Sequence, residues 1–208
     1  MKIAGIDEAG KGPVIGPLVV CGFALKKEML EELKKLGVRD SKRLSKGKRD
    51  ELFDLLLKLG ECEIVVIHPD ELDRLMEEKT INEVLFESFG RIIAKLKPEL
   101  AYIDSPDVKP ERLREKLESR DVVIISEHKA DEKYPIVAAA SIIAKVVRDD
   151  EIEKLKKAYG DFGSGYASDE RTREFLRGYL ERNGCFPPCV RKSWKTLKKI
   201  AQRSLDEF

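Results

Sequence analysis

Four carboxylates fall where secondary structure should end, not on solvated faces. Asp7 and Glu8 close the apolar run Ile3-Ala4-Gly5-Ile6, Asp104 closes Leu100–Ile103, and Asp131 stands ahead of a long helical pattern in His128-Lys129-Ala130-Asp131. Hard cations such as Mg²⁺ take oxygen ligands and keep water and substrate phosphate in their shell. Two such ions about 4 Å apart activate a water and stabilise the leaving oxygen in phosphodiester cleavage. Three or four carboxylates converging from separate segments would hold them. Taken singly, Asp104-Ser105-Pro106-Asp107 also reads as a turn and Asp131 as a helix N-cap. Asp7-Glu8 is harder to read that way, because adjacent acids at a strand end repel each other unless something cationic meets them.

Directly after the first pair comes Gly10-Lys11-Gly12-Pro13. Gly5-x-x-x-x-Gly10-Lys11 nearly matches a nucleotide-binding P-loop, but Gly12 stands where Ser or Thr is required, and a β-rich run follows instead of a helix. Glycines here let a ligand approach the backbone closely, and turn amides bind anions or sugar hydroxyls. A plain hairpin turn is the alternative.

Five strands are expected to position these groups: Lys2–Glu8, Val14–Leu25, Cys62–His68, Leu100–Asp104 and Asp121–Ser126. The first two read as antiparallel neighbours joined by the glycine turn. Helices are expected over Met29–Leu36, Lys46–Leu59 capped by Ser45, from Pro69, from the Thr80-x-x-Glu83 capping box to about Lys97, and over Glu111–Leu117. A long helix is read over Glu132–Tyr159 with Pro135 in its first turn, then helices near Glu170–Arg182 and Ser193–Gln202. Strands come first and later alternate with helices, which predicts an α/β class with a mixed sheet and a helical C-terminal part.

The chain has 208 residues, enough for one good-sized domain. Charged residues reach 38%, well above the usual ~25%, yet the net charge is only +1. Asn and Gln are limited to Asn82, Asn183 and Gln202. Dense mixed charge with few thermolabile amides suggests a thermophilic source. No run reaches the ~18 apolar residues of a membrane span, and no signal-peptide pattern precedes Asp7, so a soluble cytoplasmic protein is expected. Cys21, Cys62, Cys185 and Cys189 form no C-x-x-C pair, and two histidines give a zinc site little support. Buried free thiols are expected, with a Cys185–Cys189 disulfide as the alternative.

Together these motifs resemble one family. GIDEAGKGPVIGPLV, DSKRLS (Asp40–Ser45), KTIN (Lys79–Asn82), YIDSPD (Tyr102–Asp107), EHKADEKYPIVAAASIIAKV (Glu127–Val146) and DFGSGYASD (Asp161–Asp169) are similar to ribonuclease HII in its archaeal form, in the family's order and over most of the chain. The resemblance implies an RNase H-like fold: a central mixed five-stranded sheet flanked by helices in residues 1–160, with a C-terminal helical extension in 161–208. It implies metal-dependent endonucleolytic cleavage of RNA in RNA/DNA hybrids and 5′ of single ribonucleotides in duplex DNA, leaving a 3′-hydroxyl and a 5′-phosphate. Asp7, Glu8, Asp104 and Asp131 match its metal-binding carboxylates, for two Mg²⁺ or Mn²⁺ ions in the substrate complex. Gly10-Lys11-Gly12 matches the segment that reads the 2′-hydroxyl, the group that distinguishes RNA from DNA. Many members carry Arg in the middle, and Lys11 keeps the charge without the bidentate fork. Tyr166 matches the tyrosine that packs on the sugar at the scissile junction. Ser41, Lys42 and Asn82 resemble phosphate-side positions.

Three further features bear on function. Ser141, Lys145 and Arg148 form a polar stripe on an otherwise apolar helix, which points to substrate phosphate or the acidic cluster, or to a lysine snorkelling at the core's edge. Arg191–Arg203 carries six basic residues and no acidic one, Arg191 and Lys192 among them, which suggests phosphate contact or a basic helix face. Gln202, Leu205 and Phe208 are similar to the peptide that docks on a sliding clamp of the PCNA type, without its usual second aromatic. A monomer is expected. The competing readings are a non-catalytic nucleic-acid adaptor on the clamp, and another nuclease of the same fold such as a resolvase. An intact four-carboxylate set disfavours the first, and a 2′-hydroxyl sensor the second.

Overall fold

The computed structural model describes residues 1–38, 44–197 and 200. Ser41, Lys42, Gln202, Leu205 and Phe208 lie outside the described residues. Five strands, β1 (Lys2–Ala9), β2 (Leu18–Lys26), β3 (Glu61–Ile67), β4 (Leu100–Asp104) and β5 (Val123–Glu127), form one sheet in the order β3-β2-β1-β4-β5. The sheet is mixed, as expected: β1 is antiparallel to β2 and parallel to β4, and β4 is parallel to β5.

The helices are α1 (Leu30–Lys35), α2 (Lys46–Leu59), α3 (Pro69–Leu75), α4 (Ile81–Leu96), α5 (Pro110–Leu117), α6 (Ala130–Lys133), α7 (Pro135–Tyr159) and α8 (Glu170–Asn183). Their starts follow local chemistry. Ser45 accepts a hydrogen bond from the Lys48 amide at the head of α2, and Thr80 with Glu83 forms the reciprocal capping box of α4. Among the described residues no helix is long and apolar enough to cross a membrane.

Two expectations about elements need correction. The helix read over Glu132–Tyr159 is two helices, because Tyr134 is extended (φ −112°) and α7 starts at Pro135. A residue before proline is pushed out of the α region, so the turn must break there. The second strand begins at Leu18, not Val14. Val14 and Ile15 pack instead in a separate apolar cluster with Ile152, Phe162, Leu176 and Val190, and Ile15 makes an isolated antiparallel bridge to Val190. The link between β1 and β2 is therefore a structured loop, not a tight hairpin. All four cysteines are free. Cys21 and Cys189 are buried as expected, whereas Cys185 is exposed.

The chain packs as two compact units. One comprises Met1–Ala9, Val19–Val65 and Thr80–Val147, and holds most of the sheet. Its core includes Ile6, Ala101 and Ile103 from the strands and Ile136–Ala140 from α7, whose first turns are buried throughout. Gly5 permits the closest contact: a Cβ there would lie 2.2 Å from the Ile136 carbonyl oxygen, so only glycine lets α7 rest directly on β1. The other unit comprises Gly10–Leu18, Val66–Lys79 and Arg148–Phe208 and is built on the Val14/Ile15 cluster.

Candidate active site

The parallel register of β1 and β4 pairs Ile6 with Ile103. One residue further along, Asp7 and Asp104 are level on adjacent strands, which lie about 4.8 Å apart in any sheet. Asp104 Oδ1 then accepts a hydrogen bond from the Ala130 amide (3.1 Å), which ties the start of α6 to the strand end and brings in Asp131. Asp131 lies inside the first turn of α6, whose N-cap is Lys129 in a left-handed conformation, so Asp131 is not a cap. Ligand oxygens of Asp7, Asp104 and Asp131 all lie within 4.8 Å of one another. Asp7 and Asp131 are buried and Asp104 is half-buried. Glu8 is half-buried and stands outside this trio, as expected for the next residue along a strand, although its amide donates to Asp7 Oδ1 (2.8 Å).

Three converging acids in a buried place are electrostatically unfavourable alone. Burial pushes the Asp7 carboxyl up from 3.8 to about 7, with the neighbouring Asp104 and Asp131 adding to the rise, while hydrogen bonds from Ser141 and the Glu8 amide oppose it. Ser141 is buried on α7, and its hydroxyl also accepts from Lys145 Nζ (2.8 Å). Two members of the polar stripe of α7 thus serve the acidic cluster, Lys145 bonding Ser141 and Ser141 bonding Asp7, whereas Arg148 pairs with Asp149. An all-oxygen donor set holding a proton near neutrality fits a hard divalent ion.

The glycine turn belongs to the second unit. Gly10 has φ +84°, and a Cβ there would come within 2.6 Å of the Pro17 carbonyl oxygen, so glycine is required. Gly12 lies under Tyr166, where a Cβ would sit 3.3 Å from the ring. Two backbone bonds hold this pairing, as the amides of Val14 (2.8 Å) and Ile15 (3.2 Å) both donate to the Gly165 carbonyl. The structure therefore brings together the turn and the tyrosine that the sequence motifs singled out separately.

Asn82, Arg191 and Lys192 are held by protein partners of their own. Asn82 Nδ2 donates to Asp107 Oδ2 (3.2 Å) near the start of α4. Arg191 is not on a solvated basic face: it is 0% exposed. Its Nε donates to the Gly16 carbonyl (2.8 Å) and its Nη1 to the Lys11 carbonyl (3.3 Å). Lys192 is exposed, and its amide is anchored by Asp73 Oδ2 (2.8 Å). Sequence reasoning missed Asp73, and it missed the contact of Trp194 with the glycine turn, where Trp194 Nε1 donates to the Gly12 carbonyl (3.3 Å). The available signal was Trp194 at three residues after an arginine that follows the apolar pair Cys189-Val190.

Comparisons with known proteins point to one family. The model of the family Ribonuclease HII matches residues 4–197. A ribonuclease HII of Archaeoglobus fulgidus is 57% identical over 206 residues, covering 99% of each chain. A solved PCNA:RNase HII complex from the same organism superposes with a TM-score of 0.91 at 56% identity, covering 99% of this chain and 100% of the other. Ribonuclease H2 from Pyrococcus horikoshii OT3 gives a TM-score of 0.93 at 45% identity, covering 99% of both chains. The mixed sheet with its flanking helices is the RNase H-like α/β fold of these structures.

Proposed function

The chain belongs to the ribonuclease HII family and is a hydrolytic endonuclease with ribonuclease H activity, and on that premise we propose that it cleaves on the 5′ side of ribonucleotides embedded in duplex DNA as well as within RNA/DNA hybrids. The products are a 3′-hydroxyl and a 5′-phosphate. The observation that carries this reading is the convergence of Asp7, Asp104 and Asp131 within 4.8 Å in a buried, oxygen-only cluster.

Asp7, Asp104 and Asp131, with Glu8 as a fourth ligand suggested by the family resemblance, would hold two Mg²⁺ or Mn²⁺ ions. Bound there, such ions supply Lewis acidity and a nucleophilic water at neutral pH. The chain's own groups do the rest. Ser141, held by Lys145, keeps the Asp7 carboxylate oriented and easier to deprotonate. The Gly10–Gly12 turn presents backbone to the sugar, and Tyr166, 42% exposed above Gly12, offers a ring face for the sugar to pack on. A deoxyribose lacks the hydroxyl that the turn would engage, so an all-DNA strand loses that contact.

Gln202, Leu205 and Phe208 form the tail through which the protein would dock on a PCNA-type sliding clamp. The similar Archaeoglobus fulgidus protein has been solved with PCNA, which supports this partner. The decisive experiment uses a labelled DNA duplex with one ribonucleotide, with Mg²⁺, Mn²⁺ or chelator, beside an all-DNA duplex. Metal-dependent cutting immediately 5′ of the ribonucleotide alone is the expected result. Folded protein that cuts neither duplex in either metal would refute the assignment and leave a binding adaptor in its place.

A further inference from the structure

Arg191 is a charged side chain in a place that should exclude one. It is fully buried, and although Asp73 attracts its charge, among the described residues no carboxylate forms an ion pair with it. Its Nη2 has no hydrogen-bond partner, and Arg148 opposes its charge. A buried cation without a directly paired carboxylate is costly and is easily replaced by an apolar residue unless its hydrogen bonds do something an apolar residue cannot.

Those bonds share one target. Nε and Nη1 of Arg191 hold the carbonyls of Gly16 and Lys11, and the guanidinium stacks on Trp194 at 4.9 Å from the ring centre. Trp194 in turn holds the Gly12 carbonyl. In a trans peptide the carbonyl oxygen and the following N–H lie in one plane and point in opposite directions across the C–N bond. Two of the three gripped carbonyls, those of Gly12 and Gly16, precede Pro13 and Pro17, which have no N–H. Only the Lys11 carbonyl is followed by a donor. Drawing that oxygen toward Arg191 aims the Gly12 N–H the opposite way, within a residue whose missing side chain leaves room beside Tyr166.

We propose that Arg191 is a positioning residue that, with Trp194, fixes the Lys11–Gly12 peptide plane so that one backbone N–H, that of Gly12, is aimed at the substrate sugar. This rests on the proposed reading of the turn as the ribonucleotide sensor. Lys11 can then vary in side chain without loss of the contact, because the peptide plane and not the side chain is held. Rigid placement of a donor matters because small misplacements of a recognition group cost large factors in rate.

The test compares full-length wild type, Arg191→Gln, Arg191→Lys and Trp194→Phe on the single-ribonucleotide duplex. Steady-state cleavage is read together with Mn²⁺ binding and the ¹⁵N shift of the Gly12 amide. Wild-type cleavage 5′ of the ribonucleotide is the control, and its absence would refute the proposed function without bearing on Arg191. Arg191→Gln is expected to lower kcat/KM at least tenfold, move the Gly12 amide signal and leave the Mn²⁺ isotherm unchanged. Arg191→Lys should recover part of the loss by reaching one carbonyl. Trp194→Phe keeps an aromatic ring for the guanidinium and drops the Gly12 carbonyl bond, so it should give a smaller loss and serves if Arg191→Gln does not fold. A folded Arg191→Gln with wild-type kcat/KM, or Trp194→Phe with an unmoved Gly12 amide signal and full activity, would overturn the proposal.

Discussion

Replacing Asp7 with Asn should stabilise the metal-free protein while destroying its metal site. The Asp7 carboxyl is pushed up from 3.8 to about 7, first by burial and then by Asp104 and Asp131. The folded protein thus keeps a proton that the unfolded chain releases at lower pH. Stability of the metal-free protein therefore falls as pH rises from about 4 to about 7 and is level above that. At about 1.4 kcal/mol per pH unit, the full effect approaches about 4 kcal/mol. Asparagine carries no charge and retains an oxygen that can accept from the Glu8 amide, now 2.8 Å from Asp7 Oδ1. Part of the benefit is lost because Asp104 and Asp131 remain a like-charged pair, which leaves roughly 2–4 kcal/mol.

The assay is denaturation of wild type and Asp7→Asn in chelator at pH 4 and pH 8. At pH 8 the variant should melt several degrees higher, since about 1 kcal/mol shifts the midpoint of a chain this size by about 2–4 °C. At pH 4, where Asp7 keeps its proton in the folded state and is only about half ionised in the unfolded chain, the difference should shrink to well under about 1 kcal/mol. Added Mg²⁺ or Mn²⁺ should raise the wild-type midpoint at pH 8 and leave the variant unmoved. A variant no more stable than wild type at pH 8, or one whose gain is the same at both pH values, would refute the electrostatic account of the trio.

Three other outcomes are expected. Asp131→Asn should abolish metal-dependent cleavage and keep hybrid binding, measured by gel cleavage and by anisotropy of a labelled hybrid; normal cleavage would remove Asp131 from the site. Ser141→Ala deletes a hydrogen bond that holds the Asp7 carboxyl down, so the pH of half-maximal Mn²⁺ binding should move upward in calorimetric titrations; a downward move would contradict the Ser141–Asp7 linkage. Deleting Gln202–Phe208 should remove binding to an immobilised sliding clamp while leaving cleavage of the isolated duplex unchanged, and clamp binding that survives the deletion would exclude the tail.

Legibility in the sequence depended on whether a residue's role is local. Asp7 was readable because two adjacent acids ending an apolar run repel each other, and the parallel register of β1 and β4 then makes Asp104 its neighbour. Ser45 and Thr80 were readable as caps because a cap is a contact within three residues. Val14 and Ile15 misled because β-branched residues fit any apolar contact. Their partners Phe162, Leu176 and Val190 lie more than 140 residues away in sequence, beyond the reach of any periodicity. Tyr134-Pro135 could have been read as a break from the proline rule alone, yet the apolar pattern ran across it and outweighed a single residue.

Arg191 is the instructive case because its composition pointed one way and its environment the other. Counted with its neighbours, it belongs to a basic segment, and a basic segment suggests a surface for phosphates. Charge counting sums over residues that share a stretch of chain but not a side of it. Lys192, the next residue, is exposed, while Arg191 is enclosed and spends its donors on Gly16 and Lys11, some 175 and 180 positions earlier. The family motif suggests that a guanidinium is lost at the centre of the glycine turn, where Lys11 stands. The structure has a guanidinium behind that turn, on the carbonyl of the same residue. An arginine in the turn would add a substrate contact of its own, whereas one behind it sets the orientation of the backbone. On this account, restoring the fork by Lys11→Arg should raise affinity for nucleic acid generally and leave the preference for a ribonucleotide over a deoxyribonucleotide nearly unchanged. Competition between ribonucleotide-containing and all-DNA duplexes measures that preference, and a large gain in it would locate the discrimination in the side chain instead of the peptide plane.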